Sequence, residues 1–276
     1  MESRIDFRIL GPLEVIDGQG APIRLPGGHG RSLLGMLLLN AGQVISTDRL
    51  IDELWGEEPP PTATTALQGL VSRLRKALEP SDDGMPSVIQ THPPGYLLAI
   101  EPHQLDSERF RRALKEAADR PALQRSEILR QALDTWRGPA LIDFNYQPFA
   151  QAEITALEER RLAALEDMID ADLELGRHGE VVAELETLVA EHPLRERSWN
   201  QLMLALYRSG RQADALEAYR RLRRTLVEEL GIEPGRTTQD LEGAILRQDP
   251  QLDFSPLSPV DAASPDTGTW LPPGRK

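Results

Sequence analysis

The stretch Thr62–Glu79 (TATTALQGLVSRLRKALE) combines an apolar helical stripe with a polar face whose side chains are suited to DNA. At about 100° per residue, a helix places five apolar side chains on one face: Leu67, Leu70, Val71, Leu74 and Leu78. The opposite face and its flanks carry Thr62, Thr65, Gln68, Gly69, Ser72, Arg73, Arg75 and Lys76. Glutamine forms bidentate hydrogen bonds with adenine in a major groove, and the three cations are suited to phosphates. The composition of this face therefore predicts a DNA-recognition helix.

A short apolar hairpin is predicted directly after this helix, at Val88–Ile100 (VIQTHPPGYLLAI), with its turn at Pro93-Pro94-Gly95. Taken alone, the helix is also typical of an ordinary surface helix with solvated charges. A helix followed by a hairpin, however, is the arrangement with which a winged helix-turn-helix presents one helix and one β-ribbon to DNA. The order of elements therefore favours DNA binding.

The wing and the first helix supply further candidate contacts. We expect Tyr96 and Leu97 to pack the wing onto the helix. His92, near the wing tip, is either a phosphate or minor-groove contact or a solvated loop histidine. Arg31 and the amides that open the first helix after Gly28 form a possible phosphate site, because a helix N-terminus attracts anions.

The elements around this helix follow from turn and cap signals. Residues 1–101 are predicted as β-β-β-α-α-α-β-β, with strands over Phe7–Val15, interrupted at Gly11-Pro12, and over Ile23–Leu25. Ser46 is predicted to cap the second helix.

From Leu105 onward the apolar spacing is helical throughout, and part of it repeats. Gly176 and Gly210 each follow one helix and precede another, with a period of about 34 residues, and Pro193 falls between them. This spacing is typical of tetratricopeptide repeats, whose stacked helix pairs offer a concave surface to a partner.

These patterns predict a mainly α protein with three parts. Residues 1–102 form a winged helix-turn-helix (α+β), residues 103–250 an all-α tetratricopeptide-like domain, and residues 251–276, rich in Pro, Ser and Asp, a disordered tail or linker. Truncation after about Pro102 is expected to leave a folded domain with weaker DNA binding and little activation of transcription.

Composition argues against several classes of protein. The chain has no cysteine, which excludes disulfides and thiol chemistry, and no apolar run approaches the roughly 18 residues of a membrane span. Because the N-terminus has no signal-peptide pattern, we expect a cytoplasmic protein without membrane contact. The five histidines are scattered, so no catalytic residues, metal ligands or cofactor are predicted. The net charge of −13 counts against nucleic acid, and the acidic remainder of the chain suits a protein partner better than a second nucleic-acid surface.

Specific segments resemble known bacterial regulators. VSRLRKALEP followed by VIQTHPPGYLL resembles the recognition helix and wing of OmpR/PhoB-type response regulators, and ISTDRLIDELWGEEPPPTA resembles their second helix and activation loop. The order of the two domains, the second containing EHPLRE and ELGIEPG, resembles the SARP family of antibiotic-regulatory transcriptional activators. The second domain is similar to the bacterial transcriptional activation domain of that family.

The resemblance implies an activator of a secondary-metabolite (antibiotic) gene cluster. It implies DNA contacts from Thr65, Gly69, Ser72, Arg73, Arg75, Thr91 and Tyr96. It further implies head-to-tail binding to direct repeats in promoter DNA. We expect the DNA-bound protein to be a homodimer located at the nucleoid. RNA polymerase holoenzyme, including its sigma factor, would be recruited partly through the loop Trp55–Pro61, which contains Glu57 and Glu58.

A protein-binding role is the alternative. The acidic net charge and the few cations on the helix also fit a helical-repeat adaptor whose winged helix does not bind DNA. The salt dependence of any DNA affinity would distinguish the two, because phosphate contacts release counterions.

Overall fold

The computed structural model describes residues 5–79 and 87–254, and the packing of the chain divides it into two units, Met1–Ala171 and Asp172–Lys276. The first unit contains the winged helix-turn-helix and three further helices, and the described part of the second is helical. The predicted fold class is confirmed. The division between the units lies away from residue 102, so the domain boundaries proposed from the sequence remain predictions.

The first unit begins with a small antiparallel hairpin. Strand β1 (Asp6–Arg8) pairs with β2 (Glu14–Ile16), and Phe7 lies opposite Val15. Both side chains are fully buried, whereas their strand neighbours are half-buried. The alternation of a strand therefore places the apolar face of this hairpin in the core.

The winged helix-turn-helix follows. Its helices are α1 (His29–Leu39), α2 (Thr47–Trp55) and α3 (Ala63–Leu78), and its strands are β3 (Val44–Ser46), β4 (Ile89–His92) and β5 (Gly95–Leu98). The strands form an antiparallel sheet in the order β3-β5-β4. As predicted, Ser46 caps α2, because its hydroxyl accepts a hydrogen bond from the amide of Arg49 at 3.3 Å.

The observed order of elements corrects the prediction at two places. Ile23–Leu25 is not a strand, and only an isolated bridge joins Pro22 to Ile16. The third strand is β3 instead, three residues between the end of α1 and the cap of α2. A segment this short shows no alternating pattern, and its one buried side chain, Ile45, acquires its role only by pairing with Tyr96.

Three more helices share the core of the first unit: α4 (Asp106–Ala117), α5 (Ala122–Leu133) and α6 (Pro148–Glu174). Phe110 and Trp136 pack edge to face, with ring centroids 5.4 Å apart. The ring of Phe144 lies against Gly35 of α1 so closely that a Cβ there would be 2.9 Å from the ring. The winged helix and these helices therefore bury a common set of side chains.

A buried carboxylate joins α4 to the N-terminal hairpin. Asp106 accepts hydrogen bonds from the amides of Ile9 (2.8 and 3.0 Å) and Leu10 (3.0 Å), and Arg137 lies 3.6 Å away. We call these four residues the Asp106 cluster. The chain near Arg137 also returns to the hairpin, because its amide donates to the Leu10 carbonyl at 2.8 Å. Residues distant in sequence thus provide hydrogen-bond partners for the backbone amides and carbonyl of the hairpin.

The second unit contains α7 (His178–Glu191), α8 (Glu196–Arg208), α9 (Gln212–Leu230) and α10 (Arg236–Arg247). Gly176 and Gly210, which the repeat pattern singled out, have φ angles of 82° and 75° and end α6 and α8. This left-handed conformation favours glycine, which explains the repeated residue at the helix ends. The indole of Trp199 donates to the Pro193 carbonyl at 2.9 Å, fixing the start of the second repeat.

The beginning of the predicted tail is ordered. Pro250–Leu252 forms a 3₁₀ turn whose Leu252 carbonyl accepts a hydrogen bond from Arg208 at 2.7 Å. The ring of Phe254 packs against Gly176, where a Cβ would be 2.7 Å from it. The prediction of disorder from residue 251 is therefore wrong for residues 251–254, because an apolar ring finds a surface without a side chain. Residues 255–276 of the predicted tail lie outside the described residues.

Candidate nucleic-acid interface

Helix α3 has one apolar face, which is buried, and one polar face, which is exposed. All five apolar residues predicted for its inner face are buried, each no more than 6% exposed. The outer face is exposed along the helix, and its members are Thr62, Thr65, Gln68, Gly69, Ser72, Arg73 and Lys76. The helical periodicity thus places these predicted site residues correctly relative to the core.

The long polar side chains of this face are free to bind a ligand. Within the described residues, the side chains of Gln68, Arg73 and Lys76 make no hydrogen bond or ion pair. No acidic residue lies in α3, so its C-terminal half has a positive local field although the chain as a whole has a net charge of −13. What matters for docking on a polyanion is this local field.

Arg75 holds the wing. Its Nε donates to the Ile89 carbonyl at 2.8 Å, and its terminal nitrogen donates to Thr91 Oγ1 at 2.9 Å. The sequence grouped Arg75 with the phosphate-binding cations, whereas in the structure its guanidinium fixes strand β4 against α3. The helix and the first wing strand are thereby positioned together.

The wing is also anchored on its other side. Both the amide and the hydroxyl of Thr47 donate to the Pro94 carbonyl, each at 3.1 Å. At Gly95 the backbone approaches β3 so closely that a Cβ would lie 1.7 Å from the Ile45 carbonyl oxygen, and only glycine fits. The turn of the wing is therefore attached to the N-terminus of α2.

The predicted wing contacts differ in exposure. Thr91 and His92 are exposed, beside the exposed Pro93-Pro94 turn. Tyr96 is only 8% exposed, which agrees with its expected packing role and leaves little of the side chain for DNA.

A groove of about 480 Å³ adjoins the outer face of α3. Its walls come from α1, α2 and α3, and its lining residues are His29, Trp55, Ala66, Gly69, Leu70 and Arg73. The rings of His29 and Trp55 lie 5.2 Å apart at its edge. A Cβ at Gly69 would meet nothing within 4 Å, so this glycine keeps the groove open rather than relieving a clash. Sequence reasoning missed His29, because no pattern places the start of α1 beside the end of α2.

Two other predicted positions have defined surroundings. Arg31 donates to the Leu13 carbonyl at 2.7 Å and to Asp143 at 3.1 Å. Its guanidinium is therefore engaged within the first unit rather than free for a phosphate. In the candidate polymerase-contact loop, Trp55 is half-buried, and Glu57 and Glu58 are exposed.

Two other kinds of feature are absent from the part of the chain that the structure describes. In the described segments, no three His, Cys, Asp or Glu side chains are grouped so that they could hold a metal ion. No helix within the same segments is long and apolar enough to cross a membrane.

Comparisons with known proteins identify the family. The family model "Transcriptional regulatory protein, C terminal" matches residues 21–98, and "Bacterial transcriptional activator domain" matches residues 105–246. Regulatory protein DnrI of Streptomyces peucetius is 41% identical over 260 residues, covering 90% of this chain and 94% of that protein. The chain belongs to the SARP-type transcriptional activators. It is thus a transcriptional regulator, and the resemblance noted in the sequence is confirmed.

Two more relatives of this SARP-type regulator extend the comparison. Transcriptional regulator RedD of Streptomyces coelicolor is 40% identical, over 94% of this chain and 77% of that protein. A solved structure of Mycobacterium tuberculosis EmbR, in complex with a low affinity phosphopeptide, aligns with a TM-score of 0.85 at 40% identity. The match covers 90% of this chain and 66% of the solved chain.

Proposed function

We propose that this regulator binds double-stranded promoter DNA through the outer face of α3 and the wing. The observation that carries the proposal is the combination of unengaged Gln68, Arg73 and Lys76 on one exposed face with a wing held in place by Arg75. Free side chains of these types can form hydrogen bonds with bases and phosphates of a major groove, and the adjacent β-ribbon can contact the DNA backbone or the minor groove.

The proposed activity is activation of a secondary-metabolite (antibiotic) gene cluster, by binding direct repeats as a homodimer and recruiting RNA polymerase holoenzyme. The family supports this role. The exposed acidic residues Glu57 and Glu58 next to Trp55 are the proposed contact for the polymerase and its sigma factor. This activity places the protein in the cytoplasm, at the nucleoid.

A titration on direct-repeat DNA tests the DNA contacts. Arg73→Ala should weaken binding to all sequences and reduce the salt slope by about one, because a phosphate contact releases a counterion. Gln68→Ala should relax the preference at one base position and cost about 1–3 kcal/mol on the preferred sequence. Fluorescence anisotropy at several salt concentrations measures both effects.

The matched control is Arg236→Ala, since Arg236 is 94% exposed but lies on α10. Equal losses for Arg73→Ala and Arg236→Ala would contradict the assigned surface. An unchanged base preference in Gln68→Ala would contradict its role in base recognition.

A gel shift with and without polymerase holoenzyme tests recruitment. Wild type should bind more tightly when holoenzyme is added, and a Glu57→Ala/Glu58→Ala variant should keep its DNA affinity but lose this gain. Absence of a shift in both lanes at low salt would favour the adaptor role, which the net charge of −13 supports.

A further inference from the structure

The segment that follows α10 lies against the turn between α6 and α7. It forms the 3₁₀ turn Pro250–Leu252 and continues to Phe254, and we call residues 250–254 the strap. The ring of Phe254 lies over Gly176, where a Cβ would be 2.7 Å from it. The same ring meets the imidazole of His178 edge to face, with ring centroids 5.0 Å apart. The strap is therefore seated by an aromatic side chain on bare backbone.

Arg208, at the end of α8, makes the second contact with the strap. Its Nε donates to the Leu252 carbonyl at 2.7 Å, and one terminal nitrogen donates to the Leu173 carbonyl at 3.3 Å. The other terminal nitrogen has no partner among the described residues. Burial lowers the pKa of Arg208, and the carboxylate of Asp253 opposes this effect. A half-buried cation with a free donor favours an occupant that carries a carboxylate.

The site has room and hydrogen-bonding capacity beyond what the strap uses. A cavity of about 330 Å³ adjoins the strap, and it is lined by Tyr207, Arg208, Gly210, Gln212, Gln248, Asp253 and Phe254. His178 is 8% exposed, and its Nδ1 is buried without a hydrogen-bond partner among the described residues. Buried polar atoms in folded proteins are nearly always paired. An occupant with more atoms and a further polar group would therefore fit the site better than the strap does.

We propose that this cleft, formed by Gly176, His178, Arg208 and the adjoining cavity, is a peptide-binding site that the strap occupies in cis. The partner is a segment of another protein with an acidic residue directly before an aromatic one, the order found at Asp253 and Phe254. Its ring would lie on Gly176 and its carboxylate would bind Arg208. The strap is exchangeable because one ring and one side-chain hydrogen bond hold it, and segments with few contacts open at low free-energy cost. This site lies in the second unit and does not depend on DNA binding.

The first test uses a fluorescein-labelled peptide with the sequence of residues 249–254 and blocked ends. In the full chain, Phe254→Ala removes the ring that fills the cleft. This variant should bind the peptide at least about tenfold more tightly than wild type, whose own strap competes at an effective concentration on the order of millimolar. A peptide with alanine at the aromatic position should lose this binding. Fluorescence anisotropy measures the affinities, and circular dichroism checks that the variant is folded.

Arg208 tests the polar half of the site. In the Phe254→Ala background, Arg208→Ala should weaken peptide binding at least about tenfold, because hydrogen bonds from a charged donor are lost. Arg236→Ala is the matched control, since Arg236 is 94% exposed on α10 and should leave the peptide affinity unchanged. Equal affinities of the Arg208→Ala and Arg236→Ala variants would contradict the assigned site.

The second test asks whether a peptide displaces the strap from wild type. The full chain is labelled with fluorinated phenylalanine, and the fluorine resonance of Phe254 is the one missing from Phe254→Ala. Excess unlabelled peptide should move this resonance towards the position of an exposed phenylalanine. Binding no tighter in Phe254→Ala than in wild type, equal affinity for the alanine peptide, or a Phe254 resonance that stays in place while peptide is bound would overturn the proposal.

Discussion

At the scale of single residues, Asp106 has the greatest structural effect outside the candidate interface. Its side chain is 2% exposed and accepts the amides of Ile9 and Leu10. Asp106→Ala leaves these buried amides without their acceptor, whereas Arg137 keeps its ion pair with Glu14 at 2.8 Å. We expect it to lower the free energy of unfolding by about 1–3 kcal/mol, because buried amides are left without a hydrogen-bond acceptor. Urea denaturation measures this change, and a loss below about 1 kcal/mol would contradict the assigned role.

The stabilising effect of Asp106 should depend on pH. Burial raises the pKa of its carboxyl above the ordinary value of 3.8, against the opposing effects of the Ile9 and Leu10 amides and Arg137. The folded chain therefore retains the proton at pH values where the unfolded chain has lost it. The stabilisation of the folded state by protonated Asp106 is complete below pH 3.8 and is lost as the pH rises through the raised pKa. The stability difference between wild type and Asp106→Asn should thus shrink as the pH rises, and a constant difference would contradict this sign.

The sequence correctly predicted which side chains are buried or exposed where helical periodicity determines their placement. The buried and exposed faces of α3 follow from spacing alone, and the structure places Leu74 inside and Arg73 outside as expected. The function of Arg75 could not be predicted, because its partners Ile89 and Thr91 come from a strand whose register the sequence does not specify.

At the scale of elements, Arg75 makes α3 and the wing depend on each other. Arg75→Ala removes two hydrogen bonds from a charged donor, each contributing about 1.5–3 kcal/mol, so strand β4 should open more easily. Amide hydrogen exchange over Ile89–Leu98 should become at least about tenfold faster, with helical circular dichroism unchanged.

Arg73→Ala is the control for this exchange measurement. Arg73 lies two residues earlier on the exposed face and makes no bond to the wing, so its variant should leave exchange in β4 and β5 unchanged. Equal protection of the wing in Arg75→Ala and wild type would show that Thr47 and Gly95 suffice to hold it.

Most elements were predicted, and the exceptions have a common cause. The helices have long apolar stripes, and the glycine-terminated repeat identified α6 to α9. Strand β3 and the turn at Pro250–Leu252 are three residues each, too short for a period. Their conformations are determined by tertiary partners, the pairing of Ile45 with Tyr96 and the Arg208 contact with Leu252.

At the scale of the whole molecule, the first unit should require more than its winged helix to fold. The sequence led us to expect a folded domain after truncation near Pro102. Such a cut removes Asp106, Phe110 and Phe144, which share the core with α1 and the N-terminal hairpin. We now expect fragment 1–102 to lack a cooperative thermal transition and fragment 1–174, which ends with α6, to retain one. Calorimetry of both fragments measures this, and a cooperative melt of the shorter one near the temperature of the full chain would restore the earlier expectation.

The Asp106 cluster also has a consequence for chimeric regulators. To exchange DNA specificity between two relatives, their sequences would ordinarily be joined between residues 98 and 105, where one family match ends and the next begins. Such a junction takes Ile9 and Leu10 from one parent and Asp106 and Arg137 from the other. The exchanged segment should therefore continue through α6, so that all four residues of the Asp106 cluster and the core shared with α1 come from the same protein.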